Sequence, residues 1–313
     1  MFDPVPLDRM SVLSVGEILW DQIGQERHLG GAPFNFAYHC GALGARARIL
    51  SRVGNDELGE LALHRAVELG VPTVLIQTDR THPTGVVDVT LGDKGDATFH
   101  IRSNAAWDYI AFPDNARLAA DRADILYYGT LAQRSPISRA TVLAVLASVP
   151  ASCLRVLDVN LRQPLPTVEV LRRSLELADI VKLNAEELEQ LRPILDLPAG
   201  EIPAARELLY RYEIMAVVVT RGAEGAEAVA ADGTVVKAPG IAVPVKDTVG
   251  SGDAFTAALV VSLVSGAGLE EALQMANATG AYVATRPGGC PPIDRAAISS
   301  LMRGEPLAVA EQS

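Results

Sequence analysis

The chain has 313 residues, of which 49% are hydrophobic, which is enough for one large α/β core or two modest ones. Its formal net charge of −11 argues against nucleic acids and anionic membranes as partners, because both bind basic surfaces. The three cysteines show no CxxC spacing and the N-terminus no signal-peptide pattern, so we expect a cytoplasmic protein with reduced thiols.

Strand and helix patterns alternate along most of the chain. Short β-branched runs predict strands at 11–15, 47–53, 73–77, 125–128, 155–160, 180–183 and 216–220. Helical spacing of apolar residues predicts helices at 33–43, 56–69, 138–148, 168–178, 185–191, 204–212, 254–267 and 272–284. This order is typical of parallel βαβ units, so we predict an α/β fold with a doubly wound, mostly parallel sheet and helices on both faces.

Two stretches depart from this alternation. Residues 21–29 are short and polar, and residues 84–101 alternate apolar and polar side chains around a turn at 92–95, which is the pattern of a hairpin. We predict that these stretches form a small β-lid, built from insertions at about 17–31 and 84–107. No linker divides the chain, so we expect a single domain over residues 1–313.

A glycine-rich segment directly precedes the apolar helix predicted at 254–267. Gly250 and Gly252 flank Ser251 and let the backbone approach a ligand closely, while the helix start presents N–H groups and a positive dipole end that suit a phosphate. Asp253 would then lie beside a transferring phosphoryl group, where its carboxylate could accept a hydroxyl proton. The alternative is a plain turn in which Asp253 caps the helix.

That segment, DTVGSGDAF at 247–255, is one of several motifs that resemble the ribokinase-like (PfkB) carbohydrate kinases. The others are GGAPFN at 30–35, the run 41–59, DVNLR at 158–162, KLNAEE at 182–187 and TRGAEG at 220–225, in the family's order. GGAP, DVNLR and TRPGG at 285–289 resemble fructokinases most. The resemblance implies a ribokinase-like fold with its nucleotide-binding half at about 155–313, and ATP-dependent, Mg2+-assisted phosphorylation of a sugar hydroxyl with Asp253 as the general base.

Sugar contacts are assigned by the resemblance to four residues: Asp21, Gly30, Gly31 and Asn35. A glycine turn followed by a capping asparagine would look the same without a ligand. Asn160 and Arg162 follow a predicted strand, at the edge of an open sheet where ligands bind. Arg162 could neutralise phosphate or pair with a surface carboxylate, and Arg102, in the predicted lid, could meet an acidic substrate or be solvated.

The resemblance places the nucleotide and its ions on the second half of the chain. Nucleotide contacts are assigned to Asn184, Thr220, Gly222, Gly225 and Asn277, the last of which could equally lie on a helix surface. Asn184 and Glu187 share one face of a helix start, where they could hold Mg2+ through waters or simply cap the helix. Asp247 and the loop 286–290 resemble a monovalent-cation site, which would take K+.

The sugar side departs from the fructokinase pattern. Trp20 stands where a smaller aliphatic residue is expected, and Phe34, Phe36, Tyr38 and His39 make the segment after GGAP unusually aromatic. We expect these side chains to shape the sugar pocket. The substrate could therefore be fructose, another ketose, an acid such as 2-keto-3-deoxygluconate, or a nucleoside.

Two functions of other classes are open on sequence grounds. A catalytically silent protein that senses sugars or nucleotides could use the same fold, although the intact GSGD segment counts against it. A nicotinamide-dependent dehydrogenase would need a GxGxxG fingerprint, which is incomplete here. Because a ribbon of two or three strands is marginal in water, we also predict a homodimer in which two lids pack together, as in relatives.

Overall fold

Parallel strands form the centre of the molecule, as the alternating pattern predicts. The computed structural model describes residues 3–91 and 97–305, so the turn predicted at 92–95 lies outside the described residues. The elements in chain order are β1 (Ser11–Val15), β2 (Leu19–Ile23), β3 (Glu26–Gly30), α1 (Ala32–Ala42), β4 (Arg46–Gly54), α2 (Glu57–Glu68), β5 (Ile76–Asp79), β6 (Gly85–Leu91), β7 (Ala97–Ile101), α3 (Asp114–Ala120), β8 (Ile125–Gly129), α4 (Pro136–Leu146), β9 (Leu154–Asp158), α5 (Val168–Glu176), β10 (Ile180–Asn184), α6 (Ala185–Leu195), α7 (Glu201–Tyr212), β11 (Ala216–Thr220), β12 (Gly225–Ala230), β13 (Val235–Pro239), α8 (Ser251–Val264), α9 (Leu269–Ala284) and α10 (Arg295–Met302).

Nine of these strands make one sheet in the order β13-β12-β11-β10-β9-β8-β1-β4-β5. The strands from β11 to β5 pair in parallel, whereas β12 and β13 form an antiparallel hairpin at one edge. The hairpin was not predicted, and β5 begins three residues later than the strand predicted at 73–77. The doubly wound, mostly parallel sheet is otherwise as predicted.

Each central strand contributes to two hydrophobic cores, because successive side chains point to opposite faces of a sheet. On β8, Ile125 and Tyr127 pack with α1, α2, α8 and α9, while Leu126 and Tyr128 pack with α3 to α7. Helices therefore cover both faces, which confirms the predicted architecture. In the described parts of the chain, no helix has the length and apolarity that crossing a membrane requires.

A second, four-stranded sheet has the order β3-β2-β6-β7. Strands β2 and β6 pair in parallel, and the outer strands are antiparallel to them. The sheet combines the two stretches that depart from the strand and helix alternation, which confirms the predicted β-lid. Only three residues connect the end of β1 to the start of β2, so the lid stands at the carboxyl edge of the main sheet. Ligands of open α/β sheets bind at this edge.

Candidate active site

A tight turn leads into α8 at the carboxyl edge of the sheet. Gly250 has φ 75°, in the left-handed region, and a Cβ there would lie 2.3 Å from the Gly289 carbonyl oxygen, so only glycine fits. The turn exposes the first N–H groups of α8 and the positive end of its dipole, which attract anions. Beside them the Ser251 hydroxyl is buried and has no hydrogen-bond partner among the described residues. The turn has the features of a phosphate site.

Asp253 lies on the first turn of α8, and a buried side chain holds its carboxylate. Asn35 Nδ2, from the first turn of α1, donates to Asp253 Oδ2 at 2.8 Å. Burial and the negative charge of Asp158 raise the pKa of Asp253 to about 6, while the Asn35 hydrogen bond and the positive charges of Lys182 and Arg162 oppose the rise. A carboxylate with this pKa is ionised at neutral pH and is a stronger base than an exposed aspartate.

Asn35 is fixed from its other side as well. Only 4% of the residue is exposed, and the Cys290 thiol donates to Asn35 Oδ1 across 3.3 Å. These two contacts orient the amide so that its nitrogen faces Asp253. The contact that the structure shows for Asn35 is thus with the carboxylate, and its predicted contact with the sugar stays a prediction.

The predicted sugar-binding glycines lie against two carboxylate-bearing residues. A Cβ on Gly30 would be 3.0 Å from Asp21 Oδ2, and one on Gly31, whose φ is 109°, would be 2.5 Å from the backbone oxygen of Glu17. Burial raises the pKa of Asp21 to about 6 against the positive charge of Arg162. The structure therefore brings Asp21, Gly30 and Gly31 together.

Glu17 is a candidate site residue that sequence reasoning missed. It is 3% exposed, and burial together with the charge of Asp253 raises its pKa to about 7. Glu17 lies two residues past the carboxyl end of β1. The rule that singled out Asn160, a polar side chain at the carboxyl end of a parallel strand, would have found it.

Asn160 and Arg162 lie in the loop after β9. Asn160 adopts a left-handed backbone conformation, with φ 39°, and Arg162 is exposed. The positive charge of Arg162 opposes the raised pKa values of three carboxylates: Glu17, Asp21 and Asp253. Arg162 therefore lies within electrostatic reach of both the sugar-side carboxylates and Asp253.

Arg102 is engaged within the lid. Its Nε and terminal nitrogen donate to the two carboxylate oxygens of Asp88 at 2.8 and 2.7 Å. The two side chains are 53% and 38% exposed, so this is the solvated arrangement that the sequence left open. A contact between Arg102 and an acidic substrate stays a prediction.

The expectation that the unusual aromatic residues shape the sugar pocket is wrong. Phe34 and Phe36 are completely buried in the core. Trp20 is 5% exposed, and its indole nitrogen donates to the Leu58 carbonyl oxygen of α2 at 3.0 Å. Neighbouring side chains of a strand face opposite ways, so Trp20 points away from the side that Asp21 faces.

Tyr38 and His39 hold a loop instead. The Tyr38 hydroxyl donates to the Pro291 carbonyl at 2.8 Å, and His39 Nε2 lies 2.9 Å from the Gly289 carbonyl. Burial lowers the pKa of His39 to about 4, so the ring is neutral and donates from Nε2, because a carbonyl can only accept. The loop so held is the one that packs against Gly250.

A cavity of about 910 Å3 opens beside the turn and is large enough for a nucleotide. It brings together most of the residues to which nucleotide or phosphate contacts were assigned: Asn184, Thr220, Gly222, Gly225, Ser251, Gly252 and Asn277. Asn277 also donates to the Pro239 carbonyl at 2.6 Å. A larger cavity, of about 1610 Å3, includes Asn277 but not the turn, so only the smaller cavity adjoins both the turn and the predicted nucleotide residues.

Glu187 and Asn184 form a reciprocal cap at the start of α6. Each side chain accepts the other's backbone N–H at 2.8 Å, and the second Glu187 oxygen accepts the Leu161 N–H at 2.8 Å. Burial raises the pKa of Glu187 against the charge of Lys182. The capping alternative is thus present. Because each carboxylate oxygen keeps a second lone pair, the oxygen donors still fit a hydrated Mg2+, and the magnesium role stays a prediction.

Asp247 joins the turn to the loop 286–290. Its Oδ1 accepts the Val249 N–H at 3.0 Å and its Oδ2 the Gly288 N–H at 2.8 Å. Its role at a monovalent-cation site stays a prediction. Within residues 3–91 and 97–305, no group of three or more histidine, cysteine, aspartate or glutamate side chains could hold a metal ion by itself.

Comparisons with known proteins agree with this geometry. Residues 8–296 match the pfkB family of carbohydrate kinases. The chain is 30% identical to probable fructokinase-2 of Arabidopsis thaliana, over 93% of the chain and 95% of the relative. It is 32% identical to a fructokinase of Escherichia coli, over 75% of the chain and 77% of the relative.

Solved structures share the fold over almost their whole length. A Xylella fastidiosa fructokinase with bound ATP superposes with a TM-score of 0.82 at 23% identity, covering 94% of this chain and 98% of that one. An uncharacterized sugar kinase from Pyrococcus horikoshii in complex with ATP gives 0.75 at 30% identity, covering 89% and 94%. A double-mutant fructokinase from Vibrio cholerae O395, with fructose, ADP and potassium ion bound, gives 0.80 at 26% identity, covering 94% and 99%.

The match spans more than nine-tenths of the chain and includes the Gly250–Asp253 turn, the cavity beside it and the lid. The relatives named above are sugar kinases, and two of the solved neighbours named above carry ATP. The chain therefore belongs to the pfkB family of carbohydrate kinases and is an ATP-dependent sugar kinase.

Proposed function

We propose that the protein transfers the terminal phosphoryl group of ATP to a hydroxyl of a neutral ketose, with fructose as the first candidate and Asp253 as the general base. The observation that carries the proposal is the position of Asp253. It adjoins the anion-attracting turn of α8 on one side, and it lies within electrostatic reach of Glu17 and Arg162 on the sugar side.

The residues divide the reaction between positioning and proton transfer. ATP lies in the 910 Å3 cavity with its terminal phosphate at the start of α8, where N–H groups stabilise the charge that develops on its oxygens. Asp253 accepts the proton of the sugar hydroxyl as the new oxygen–phosphorus bond forms and the bond to ADP breaks. Asn35 keeps the carboxylate in place. Magnesium, when bound with ATP, neutralises phosphate charge, and Asn184 and Glu187 would hold its waters.

The charge of the sugar side supports a neutral substrate. Three carboxyl groups, Glu17, Asp21 and Asp253, lie within the electrostatic reach of one guanidinium, Arg162. With pKa values of about 6, Asp21 and Asp253 are ionised at neutral pH. Carboxylates accept hydrogen bonds from hydroxyls but repel another carboxylate, so the site favours a polyol over a sugar acid. Among neutral polyols, the GGAP, DVNLR and TRPGG motifs and the fructokinase relatives favour fructose.

The test is kcat/KM for fructose, ribose, adenosine and 2-keto-3-deoxygluconate under one set of conditions. We expect fructose to rank first. If any of the others exceeds it by about tenfold, which is about 1.4 kcal/mol in transition-state binding, the substrate assignment fails. Ligand binding without turnover of any of them would favour the silent sensor instead.

Three further assignments complete the proposal. The lid, about 17–31 and 84–107, would close over the sugar and exclude water, and residues from about 155 to 313 would form the nucleotide-binding half of one domain. Asp247 would help to bind K+, as the potassium ion in the Vibrio fructokinase suggests. Two lids would pack together in a homodimer.

A further inference from the structure

A buried ion pair lies directly beneath the Gly250–Asp253 turn. Lys182 Nζ, on β10, is 3.1 and 3.2 Å from the two carboxylate oxygens of Asp158, on β9. Their side chains are only 9% and 1% exposed. Removing two charges from water is costly, and replacing such a pair by apolar side chains is often neutral for stability. Stability alone is therefore a weak explanation for the pair.

The pair contacts the turn at two points. A Cβ on Gly252 would lie 3.2 Å from Lys182 Nζ, so the ammonium adjoins the Gly252 backbone. Thr256 Oγ1, one helical turn later, donates to the Gly252 carbonyl at 2.8 Å and lies 3.4 Å from Asp158 Oδ2. Lys182 also lines the nucleotide cavity. Its ammonium therefore lies between the floor of the cavity and the first turn of α8.

The two members of the pair act on Asp253 with opposite signs. The ammonium of Lys182 contacts both carboxylate oxygens of Asp158 and is also near the carboxylates of Glu187 and Asp253. Its positive charge lowers the pKa of Asp253, whereas the negative charge of Asp158 raises it. Replacing either partner should therefore shift the pKa of Asp253 in a predictable direction.

We propose that Lys182 is a positioning residue of the phosphoryl-transfer reaction: paired with Asp158, it supports the Gly252 backbone and favours the anionic form of Asp253. The inference rests on the proposed role of Asp253 as general base and adds the group that keeps this base ionised. The alternative is a structural pair that joins β9 to β10 and has no influence on the reaction.

Other charged or titratable groups also face Asp253, and they stay unchanged in the experiment. With the ion pair, the groups that act on Asp253 from the packed elements are Glu17, Tyr127, Asp158, Arg162, Lys182 and Cys290.

The test is the pH profile of kcat/KM for the sugar in three variants. Its acid limb is the fall in kcat/KM toward low pH, which follows protonation of Asp253. Asp158→Asn removes the negative charge that disfavours the anionic form of Asp253 and keeps the ammonium of Lys182, so the acid limb should move to lower pH by about one unit. Lys182→Gln removes the cation, so the limb should move to higher pH by up to about one unit. Lys182→Arg keeps the charge and should keep the wild-type limb.

A matched control lies at the other end of the same two strands. Arg155, on β9, donates to Asp179, just before β10, at 2.6 Å. Arg155→Gln and Asp179→Asn also break an ion pair between these strands, far from the turn. They should lower Tm without moving the acid limb.

Acid limbs that separate in the stated directions support the proposal. Limbs of Asp158→Asn and Lys182→Gln that coincide, or that move the same way, overturn it. If Lys182→Gln fails to fold, Lys182→Arg takes its place in the comparison. Its acid limb must then lie at a higher pH than that of Asp158→Asn, and coincidence of the two limbs overturns the proposal. Asp253→Asn separates the two assignments, because full activity there refutes the proposed base, whereas an inactive variant beside coincident limbs refutes only the role of Lys182.

Discussion

Replacing Asp253 by Asn tests the proposed chemistry most directly. The amide has the size of the carboxylate, and its oxygen can accept the hydrogen bond from Asn35 Nδ2 that Asp253 accepts at 2.8 Å. The substitution therefore leaves the turn and its N–H groups in place but removes the group that takes the hydroxyl proton. General-base catalysis typically contributes a factor of about 10²–10⁴ in rate, so kcat should fall by about that factor. This corresponds to a loss of roughly 3–5 kcal/mol of transition-state stabilisation.

The same variant should be more stable than the wild type above about pH 6. Asp253 has its pKa raised from 3.8 to about 6 on folding, and each pKa unit corresponds to about 1.4 kcal/mol, so the ionised side chain costs the fold roughly 3 kcal/mol. Below pH 3.8 the group is protonated in both states and costs nothing. The advantage of Asn should therefore be full above about pH 6 and fade between pH 6 and pH 4.

Three measurements separate the effects: steady-state ADP release gives kcat, calorimetry gives the affinity for ATP, and urea unfolding at pH 4 and pH 8 gives the free energy of unfolding. We expect a large loss in kcat, little change in ATP affinity and a higher free energy of unfolding at pH 8 only. If the variant keeps more than about a tenth of wild-type kcat, which exceeds what loss of a base allows, the mechanism is wrong and the turn is only a helix cap.

Three further predictions concern the turn, the metal and the assembly. Gly250→Ala should raise KM for ATP and should destabilise the fold by about 1–3 kcal/mol more than the control Gly70→Ala. Both glycines have φ 75°, but only at Gly250 would the new Cβ meet backbone, the Gly289 carbonyl oxygen at 2.3 Å. Equal losses of stability in the two variants would contradict this contact. Glu187→Gln should weaken the Mg2+ dependence of turnover, and an unchanged Mg2+ titration would refute the metal role. The substitution should also lower the free energy of unfolding by about 1–3 kcal/mol, because the new side-chain NH2 cannot accept a hydrogen bond from a backbone N–H. Light scattering at micromolar concentration should show a dimer, and a fully active monomer would rule out pairing through the lids.

The parallel core could be predicted because its strands are β-branched and separated by amphipathic helices. The edge hairpin of β12 and β13 could not, because the inward positions that Ala226, Ala228 and Ala238 occupy carry little intrinsic strand preference. These alanines are buried under the helices of that face, so packing against the sheet selects the strand conformation there. Tertiary contacts overrode a weak local signal.

Individual site residues could be predicted from motifs, but their contacts could not. Asn35 and Asp253 are 218 positions apart, and only the packing of α1 against α8 brings them within a hydrogen bond. Lys182 and Asp158 are opposite each other in the register of β9 and β10, which no single-strand pattern reveals. Glu17 was missed because it lies in the short connection after β1 and belongs to no motif that the sequence analysis used.

Helix α1 links the two halves of the proposed site through residues that look like substrate determinants. Its first turn places Asn35 on Asp253, and its second turn uses Tyr38 and His39 to hold the loop that packs against Gly250. The sugar-side glycine turn and the phosphate turn are thereby fixed to one helix. Phosphoryl transfer depends on holding the attacking oxygen and the phosphorus in line, so a rigid link between the two half-sites is what this chemistry requires. Because the aromatic residues are buried, we expect the choice of sugar to depend on the polar residues of the proposed sugar site, chiefly Asp21 and Arg162, whose charges influence each other.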